Sequence, residues 1–206
     1  MSGQLSPYER ALGASVECLH PRLRTYFAAL PAGAVGRGSG TFDVVGTPRV
    51  WTWPLLAVLA RWGIAFPVWQ ADVPFTVENR STAAGAVEAV RVFRLRGGDR
   101  AMVDAVAFTS AGLVDALGVG GRVRASFRAG VVDGALVLDS HRVGVRVGRM
   151  RTTLPPMLSP RVRLVESFDD AIDLQRVDVT IDLPVIGRIY RYAGSFAYAV
   201  HHEGEQ

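Results

Sequence analysis

An arginine and an aspartate in two neighbouring apolar segments form the first candidate site. Arg91 precedes Gly97-Gly98 and Asp104 follows it, and two glycines between strands are typical of a two-residue hairpin turn. This turn predicts that the two side chains stand directly opposite each other, flanked on the same face by Phe93 and Met102. The guanidinium could then bind the carboxylate or carbonyl end of a ligand. Alternatively, the two charges form a buried ion pair that only fixes the strand register.

A second carboxyl group with apolar neighbours is that of Glu166. On a strand it shares its face with Val162, Leu164 and Phe168. Such surroundings raise the pKa of a carboxyl group, so Asp104 and Glu166 are the candidate acid and base if the protein is an enzyme. An edge position or a partner arginine would instead give Glu166 a structural role.

Three aromatic residues complete the candidate ligand-binding set of Arg91, Phe93 and Met102. Tyr190 and Tyr192 lie close together near the end of the chain, where their hydroxyl groups could orient a ligand. Trp53 belongs to a segment that is apolar on most sides, which predicts a helix that is buried or covers an apolar opening. All three could equally belong to a filled core.

The composition argues against several classes of function. All 23 basic residues are arginine, which excludes Schiff-base chemistry and a Walker-type phosphate loop. Cys18 is alone and the four histidines form no convincing ligand set, so neither a metal nor a cofactor is expected. The arginines have few aromatic residues between them on the same strand faces, so nucleic acid is not an expected partner.

The elements that must position these residues are mainly strands. From Val119 onward, charged and apolar residues alternate, which indicates strands with one wet face and one dry face. The predicted strands cover residues 41–46, 73–79, 87–96, 100–109, 119–132, 135–147, 161–168, 176–183 and 187–200. Asp133-Gly134 is typical of a second two-residue hairpin turn.

Helices are predicted only in the N-terminal part. A capping box at Ser6-Pro7-Tyr8-Glu9 starts a helix that ends near His20, and Pro21 starts a second one. Residues 32–40 are glycine-rich and predict a loop, and residues 48–62 predict a third helix.

These elements predict one α+β domain over residues 1–206. Its helical N-terminal part covers about 6–62. A large curled antiparallel sheet, a half-barrel or barrel of about eight to ten strands, covers about 73–200, with the tryptophan-rich helix as a cap. The sequence shows no signal peptide and no uninterrupted apolar stretch long enough to span a membrane, so a cytoplasmic protein without stable membrane insertion is expected.

Several motifs, in this order, resemble a bacterial family known as domain of unknown function 4166. They are His20-Pro21-Arg22-Leu23, Asp72-Val73-Pro74, Arg91-Val92-Phe93, the proline-rich loop 154–161, and Pro184-x-x-Gly187 followed by Arg191-Tyr192-Ala193-Gly194. The resemblance covers about residues 8–198 and implies no activity. Members are sometimes joined to a saccharopine-dehydrogenase-like domain, which implies a separate dehydrogenase-like partner for this chain. Glu88-Ala89-Val90 replaces an aromatic residue of the family, which implies an altered cavity lining.

Three functions are compatible with this pattern. The first is binding of a hydrophobic small molecule, lipid-like or a secondary metabolite, in an apolar cavity of the curled sheet. The second is a cofactor-independent isomerase, cyclase or dehydratase that uses the cavity carboxyl groups. The third is a structural or oligomerisation domain, in which the dry face is the interface of a homodimer.

Overall fold

Ten antiparallel strands close into a barrel, which confirms the predicted curled sheet. The computed structural model describes residues 4–202. The strands are β1 (Ala34–Gly46), β2 (Trp69–Ser81), β3 (Val87–Leu95), β4 (Gly98–Thr109), β5 (Gly112–Leu117), β6 (Val123–Val132), β7 (Ala135–Val147), β8 (Met150–Thr153), β9 (Arg161–Asp169), β10 (Leu174–Leu183) and β11 (Gly187–His202). Neighbours follow chain order except that β9 pairs with β7, and β11 pairs back with β1 to close the ring. Strand β8 pairs only with the end of β7, outside the ring.

The prediction of a glycine-rich loop at residues 32–40 is wrong, because most of these residues belong to strand β1. This strand also interrupts the N-terminal part that was predicted to be helical. Its glycines alternate because they face the interior, where aromatic rings of β11 cross the strand. A Cβ atom at Gly36 would lie 1.5 Å from the Tyr198 hydroxyl oxygen, and one at Gly40 would lie 2.0 Å from the Ser195 carbonyl oxygen. A glycine content typical of loops therefore reflects close packing in this strand.

The register of the β3–β4 hairpin differs by two residues from the predicted one. Leu95 pairs with Gly98, so the turn consists of Arg96 and Gly97, and the predicted direct opposition of Arg91 and Asp104 is wrong. The predicted turn, Gly97-Gly98, and the observed turn, Arg96-Gly97, both contain glycine, so the position of the glycines alone does not determine which turn forms. Because side chains alternate with period two, a shift of two residues leaves both side chains facing the barrel interior.

Strands β5 and β8 occupy segments in which the alternation predicts none. Strand β6 begins at Val123 rather than Val119, since Gly118, Gly120 and Gly121 all have positive φ and form the preceding turn. The predicted Asp133-Gly134 turn is confirmed, because Val132 pairs with Ala135 across it.

Short helices cover both ends of the barrel. Helix α1 (Pro7–Leu12) begins at the predicted capping box, with the Ser6 hydroxyl accepting from the Glu9 amide at 3.1 Å. A 3₁₀ helix (Gly13–Cys18) leads to α2 (Pro21–Phe27), and these three segments form the helical cap over one end. Helix α3 (Trp53–Ala60), which is shorter than the predicted helix over 48–62, packs at the other end. Within the described residues, every helix is too short to span a lipid bilayer.

The barrel interior contains two cores of different composition. The aromatic core lies toward α3, and its fully buried rings are those of Phe42, Phe66, Phe93 and Tyr190. The cap core lies beneath α1 and α2 and consists mainly of leucines. The polar groups of the candidate site lie between these two cores.

Candidate functional site

Arg91 and Asp104 form an ion pair inside the barrel. The Arg91 Nη1 donates to the Asp104 Oδ1, and the Asp104 side chain is only 5% exposed. In the observed register Arg91 pairs with Met102 and Asp104 pairs with Ala89, so the two charged side chains meet diagonally across the hairpin. Long side chains bridge diagonal positions on one sheet face, which explains why the contact forms.

Three small cavities surround this ion pair, and Arg91 lines all of them. Their volumes are about 50, 20 and 10 Å³. The largest has an apolar wall built from both the cap and the strands: Phe27, Met102, Val106, Leu113, Leu117, Phe127, Leu136, Leu138 and Leu164. Its polar groups come from Tyr8, Arg91, Asp104, Asp115, Glu166 and Tyr192. A mainly apolar wall with a few converging polar groups is typical of small-molecule sites.

Two further carboxyl groups line the largest cavity. Glu166, on β9, is 5% exposed and accepts a hydrogen bond from the Gln175 side chain on β10. Asp115, on β5, has a buried Oδ1 atom with no hydrogen-bond partner among the described residues. A buried acceptor without a partner is costly unless it is protonated or meets a ligand or a water molecule.

Burial controls the protonation of these groups. Burial raises the pKa of Glu166 to about 7, although Arg91 and the hydrogen bond from Gln175 oppose the shift. Burial also raises the pKa of Asp115 well above its usual value, and the nearby charge of Asp104 raises it further. Burial alone would lower the pKa of Arg91, but Asp104 raises it, so the guanidinium stays charged. Burial raises the pKa of Asp104 too, but the charge of Arg91 and its hydrogen bond oppose that shift and favour the ion pair. At neutral pH, Asp115 and Glu166 are therefore wholly or partly neutral.

Three tyrosines stand around the ion pair. Tyr8 of α1, Tyr26 of α2 and Tyr192 of β11 each line two of the cavities. Burial raises the pKa of all three hydroxyl groups, so they remain neutral and can donate hydrogen bonds. The helical cap thus contributes polar groups to the site as well as covering it.

The structure separates the predicted site residues into two groups. Arg91, Met102, Asp104, Glu166 and Tyr192 meet around the largest cavity. The other three lie toward α3 and away from these cavities. There Phe93 stacks on Phe42 with ring centroids 5.2 Å apart, the Tyr190 hydroxyl accepts from the Phe66 amide at 3.3 Å, and the Trp53 indole donates to the Thr47 carbonyl oxygen at 3.3 Å.

The sequence prediction missed Asp115 and the cap tyrosines. Asp115 shares its face of β5 with Leu113 and Leu117, as Glu166 shares its face of β9 with Leu164 and Phe168, so the same pattern could have identified it. Tyr8 and Tyr26 carry no comparable signal, because their direction depends on how the cap docks on the barrel.

The carboxyl groups do not converge on one metal-binding point. Across residues 4–202, no three His, Cys, Asp or Glu side chains are placed so that they could hold a metal ion. The arrangement is suited to hydrogen bonding with an organic molecule and to proton transfer.

On α3 and just before it, several large apolar side chains are exposed to solvent, among them Trp51 at 59% and Leu55 at 53%. Nothing in the structure shows what covers them. The predicted homodimer and the predicted dehydrogenase-like partner therefore stay predictions.

Comparison with known proteins identifies one family. The family model described as a domain of unknown function (DUF4166) matches residues 19–196 of the 206-residue chain, which confirms the resemblance read from the sequence motifs. No curated protein and no solved structure matches the chain.

Proposed function

We propose that this chain, which belongs to the DUF4166 family of domains of unknown function, binds a largely apolar small molecule inside its barrel. The observation that carries this proposal is the position of Arg91. Its guanidinium is the one charged group that borders all three cavities, in a wall that is otherwise mainly apolar. The apolar wall would supply affinity, and Arg91, held by Asp104, would orient the polar end of the ligand.

The polar groups define the chemistry of that end. A carboxylate or carbonyl oxygen would accept hydrogen bonds from Arg91, which has five N–H donors. A protonated Asp115 would donate a further hydrogen bond through its partnerless oxygen. We therefore propose a lipid-like molecule or secondary metabolite with an acidic or carbonyl terminus.

Ligand entry requires movement of the helical cap. The largest cavity is about 50 Å³, whereas sites for small molecules are typically about 300–1,000 Å³. Within the cap, the Ser6 hydroxyl donates to the Phe27 carbonyl oxygen at 2.5 Å and joins the start of α1 to the end of α2. Apolar contacts of Leu12, Leu19 and Leu23 hold the cap on the barrel. Displacing α1 and α2 would remove Tyr8, Tyr26 and Phe27 from above Arg91 and enlarge the site.

A fluorescent long-chain fatty acid and the corresponding alcohol provide the test. The variant R91Q/D104N removes both charges while it keeps polar side chains of similar size. Its affinity for the acid should fall about tenfold, the loss expected when a charge-assisted hydrogen bond is removed. Its affinity for the alcohol should change little. The control R94Q removes an exposed arginine on the outer face of β3 and should bind both probes like the parent chain.

Two results would contradict the proposal. One is equal binding of the acid by R91Q/D104N and the parent chain. The other is an absence of probe binding together with an absence of co-purifying apolar molecules, measured by native mass spectrometry and organic extraction of protein from its own host. The barrel would then be a filled structural core.

One observation favours a second candidate, a cofactor-independent isomerase, cyclase or dehydratase. A carboxyl group with a pKa of about 7 can both donate and accept a proton at neutral pH, and Glu166 has this property beside the largest cavity. For any substrate found by extraction, E166Q should stop turnover without weakening binding. Unchanged turnover in E166Q would exclude Glu166 as the catalytic acid or base and leave ligand binding as the proposed function.

A further inference from the structure

A trough on the outer surface of the barrel is lined by arginines. It has a volume of about 420 Å³ and lies on the side formed by β5, β6, β7 and β8, and the β4–β5 turn (residues 110–111) also lines it. Five of its lining residues are arginines and none is acidic: Arg122, Arg124, Arg142, Arg146 and Arg151. It lies on the opposite face of the sheet from the interior site, and its ligand would not depend on that site.

Strand pairing places these arginines around a glycine. Arg124 of β6 pairs with Gly144 of β7, and Thr153 of β8 pairs with Gly144 on its other side. Arg142 and Arg146 are two residues before and after Gly144, so they share its face of the strand. Gly144 therefore forms a floor that carries no side chain, and side chains from three strands surround it. A Cβ atom there would lie 3.1 Å from the Thr152 carbonyl oxygen.

The arginines repel one another. Arg146 stands directly opposite Arg151 in the β7–β8 pair, and directly opposed like charges destabilise a sheet. Burial lowers the pKa of Arg124, and the positive charges of Arg151 and Arg146 lower it further. A cluster of this kind is favourable when an anion neutralises it.

Carboxylates of the chain do not supply that neutralisation. In the described part of the chain, no Asp or Glu oxygen lies within 4.0 Å of a nitrogen of these five guanidinium groups. Several outward arginines elsewhere on the barrel are paired, as in Arg163 with Asp139, Arg188 with Asp182 and Arg191 with Asp178. The trough is distinguished by five arginines that line one concavity with no acidic residue among its lining residues.

One arginine also has an unsatisfied donor. The Nε atom of Arg146 is buried and has no hydrogen-bond partner among the described residues. A buried charged donor without an acceptor costs more than a neutral one. An anion in the trough would remove the repulsion between Arg146 and Arg151, and it would give the Arg146 Nε atom an acceptor once that side chain turns toward it.

We propose that this trough is a binding site for a small anion with two or more linked phosphate groups. Arg124, Arg142, Arg146 and Arg151 would bind its oxygens above the Gly144 floor, and Thr153 would add a hydroxyl donor. The volume of about 420 Å³ is within the range of small-molecule sites. The arginines lie around a single point and do not extend along the barrel, which fits a compact polyphosphate better than a nucleic acid strand.

Calorimetric titration with inorganic tripolyphosphate at about 0.15 M salt, the physiological ionic strength, tests the proposal. R124Q, R146Q and R151Q should each lower the affinity on the order of tenfold, as expected for loss of a charge-assisted hydrogen bond. The matched control is R128Q, which removes an exposed arginine from the same strand outside the trough. Its affinity should stay within about twofold of the parent chain.

Thermal unfolding separates a binding role from a structural one. Without added anion, R151Q should melt at a higher temperature than the parent chain, because the substitution removes repulsion with Arg146. Tripolyphosphate should raise the melting temperature of the parent chain but not that of R151Q. A lower melting temperature of R151Q without anion, combined with unchanged tripolyphosphate affinity, would overturn the proposal.

Two further results would also overturn it. One is equal weakening by R128Q and the trough variants, which would indicate attraction to net positive charge only. The other is tighter binding of a short single-stranded DNA or of anionic vesicles than of tripolyphosphate, lost in the same variants, which would assign the trough to a macromolecular or membrane partner.

Discussion

The charge balance inside the barrel depends on one guanidinium and three carboxyl groups. Asp104 neutralises Arg91 directly, which leaves Asp115 and Glu166 without a cation of their own in a mainly apolar interior. The protein avoids buried negative charge by raising the pKa of these two groups. The cost of this arrangement depends on pH.

Glu166 should make the protein less stable as pH rises from about 4.5 to about 7. Its pKa rises from the unfolded value of 4.5 to about 7 on folding, so the folded state binds its proton more tightly. The stabilisation is present below pH 4.5 and is lost as pH rises through 7, a change on the order of 3 kcal/mol. Urea unfolding across this range should show that E166Q lacks this part of the decline. E88Q, at an exposed position on β3, should retain it; an identical decline in E166Q would disprove the assignment.

Removing one partner of the buried ion pair should destabilise the fold strongly, whereas replacing both partners with apolar residues should change its stability little. D104L leaves Arg91 charged and unpaired in the interior, which should cost about 3–5 kcal/mol, whereas R91M/D104L should recover most of that loss. Urea unfolding measures both. D139N breaks the exposed pair with Arg163 and should cost less than about 1 kcal/mol. Similar losses in D104L and D139N would show that the interior pair is hydrated.

Period-two alternation is sufficient to place Arg91, Asp104 and Glu166 inside the barrel. It succeeds because a strand has only two faces, so a register error of two residues in the β3–β4 hairpin does not change the face. It fails for Tyr8 and Tyr26, whose positions depend on contacts between distant segments. The alternation also does not predict the volume of the interior cavities, because that volume depends on how the buried side chains pack.

Among the strands, β1 shows most clearly how packing overrides composition. Residues 36–40 have the glycine content of a loop, yet they form the strand that closes the barrel against β11. Local propensity cannot reveal this, since the need for glycine comes from the rings of Phe196 and Tyr198 and from the Ser195 backbone, which lie on the last strand of the chain. Strand β1 was therefore predictable only from its pairing with β11.

Replacing Gly40 with alanine should destabilise the barrel by about 3 kcal/mol or more, at the upper end for overpacking. The new Cβ atom would lie 2.0 Å from the Ser195 carbonyl oxygen and 2.6 Å from the Phe196 Cα atom. Both are backbone atoms, so no side-chain rotation relieves the clash. G130A on β6 is the control, because its Cβ atom would meet nothing within 4 Å. Thermal unfolding of the two variants measures the difference, and equal melting temperatures would refute the packing role.

At the scale of the whole molecule, the ring is complete only when its first and last strands pair. Strand β11 provides hydrogen-bond partners for both β1 and β10 along most of its sixteen residues. It also carries Tyr190, Tyr192 and Phe196 into the interior. The fold therefore depends on a contact between two ends of the chain, which slows folding relative to local hairpins.

A chain that ends at Leu183 should consequently fail to form the barrel. Without β11, strands β1 and β10 would expose unpaired edges, which favour aggregation. Circular dichroism and size-exclusion chromatography should show loss of the cooperative thermal transition and soluble aggregates. A chain that ends at His202 keeps all of β11 and should behave like the full chain. A cooperative transition in the shorter chain would show that the remaining strands close without β11.

The hydrogen bond from Ser6 to Phe27 has a consequence for kinetics. If ligand reaches Arg91 only after α1 separates from α2 and from the barrel, the observed association rate should reach a plateau at high ligand concentration, set by the rate of that separation. S6A, which lacks the hydroxyl that bonds to the Phe27 carbonyl oxygen, should raise the plateau and shorten the residence time of the bound molecule by a similar factor. The barrel would then act as a slow-release container, and the small helices at its N-terminus would set how long the cargo stays inside.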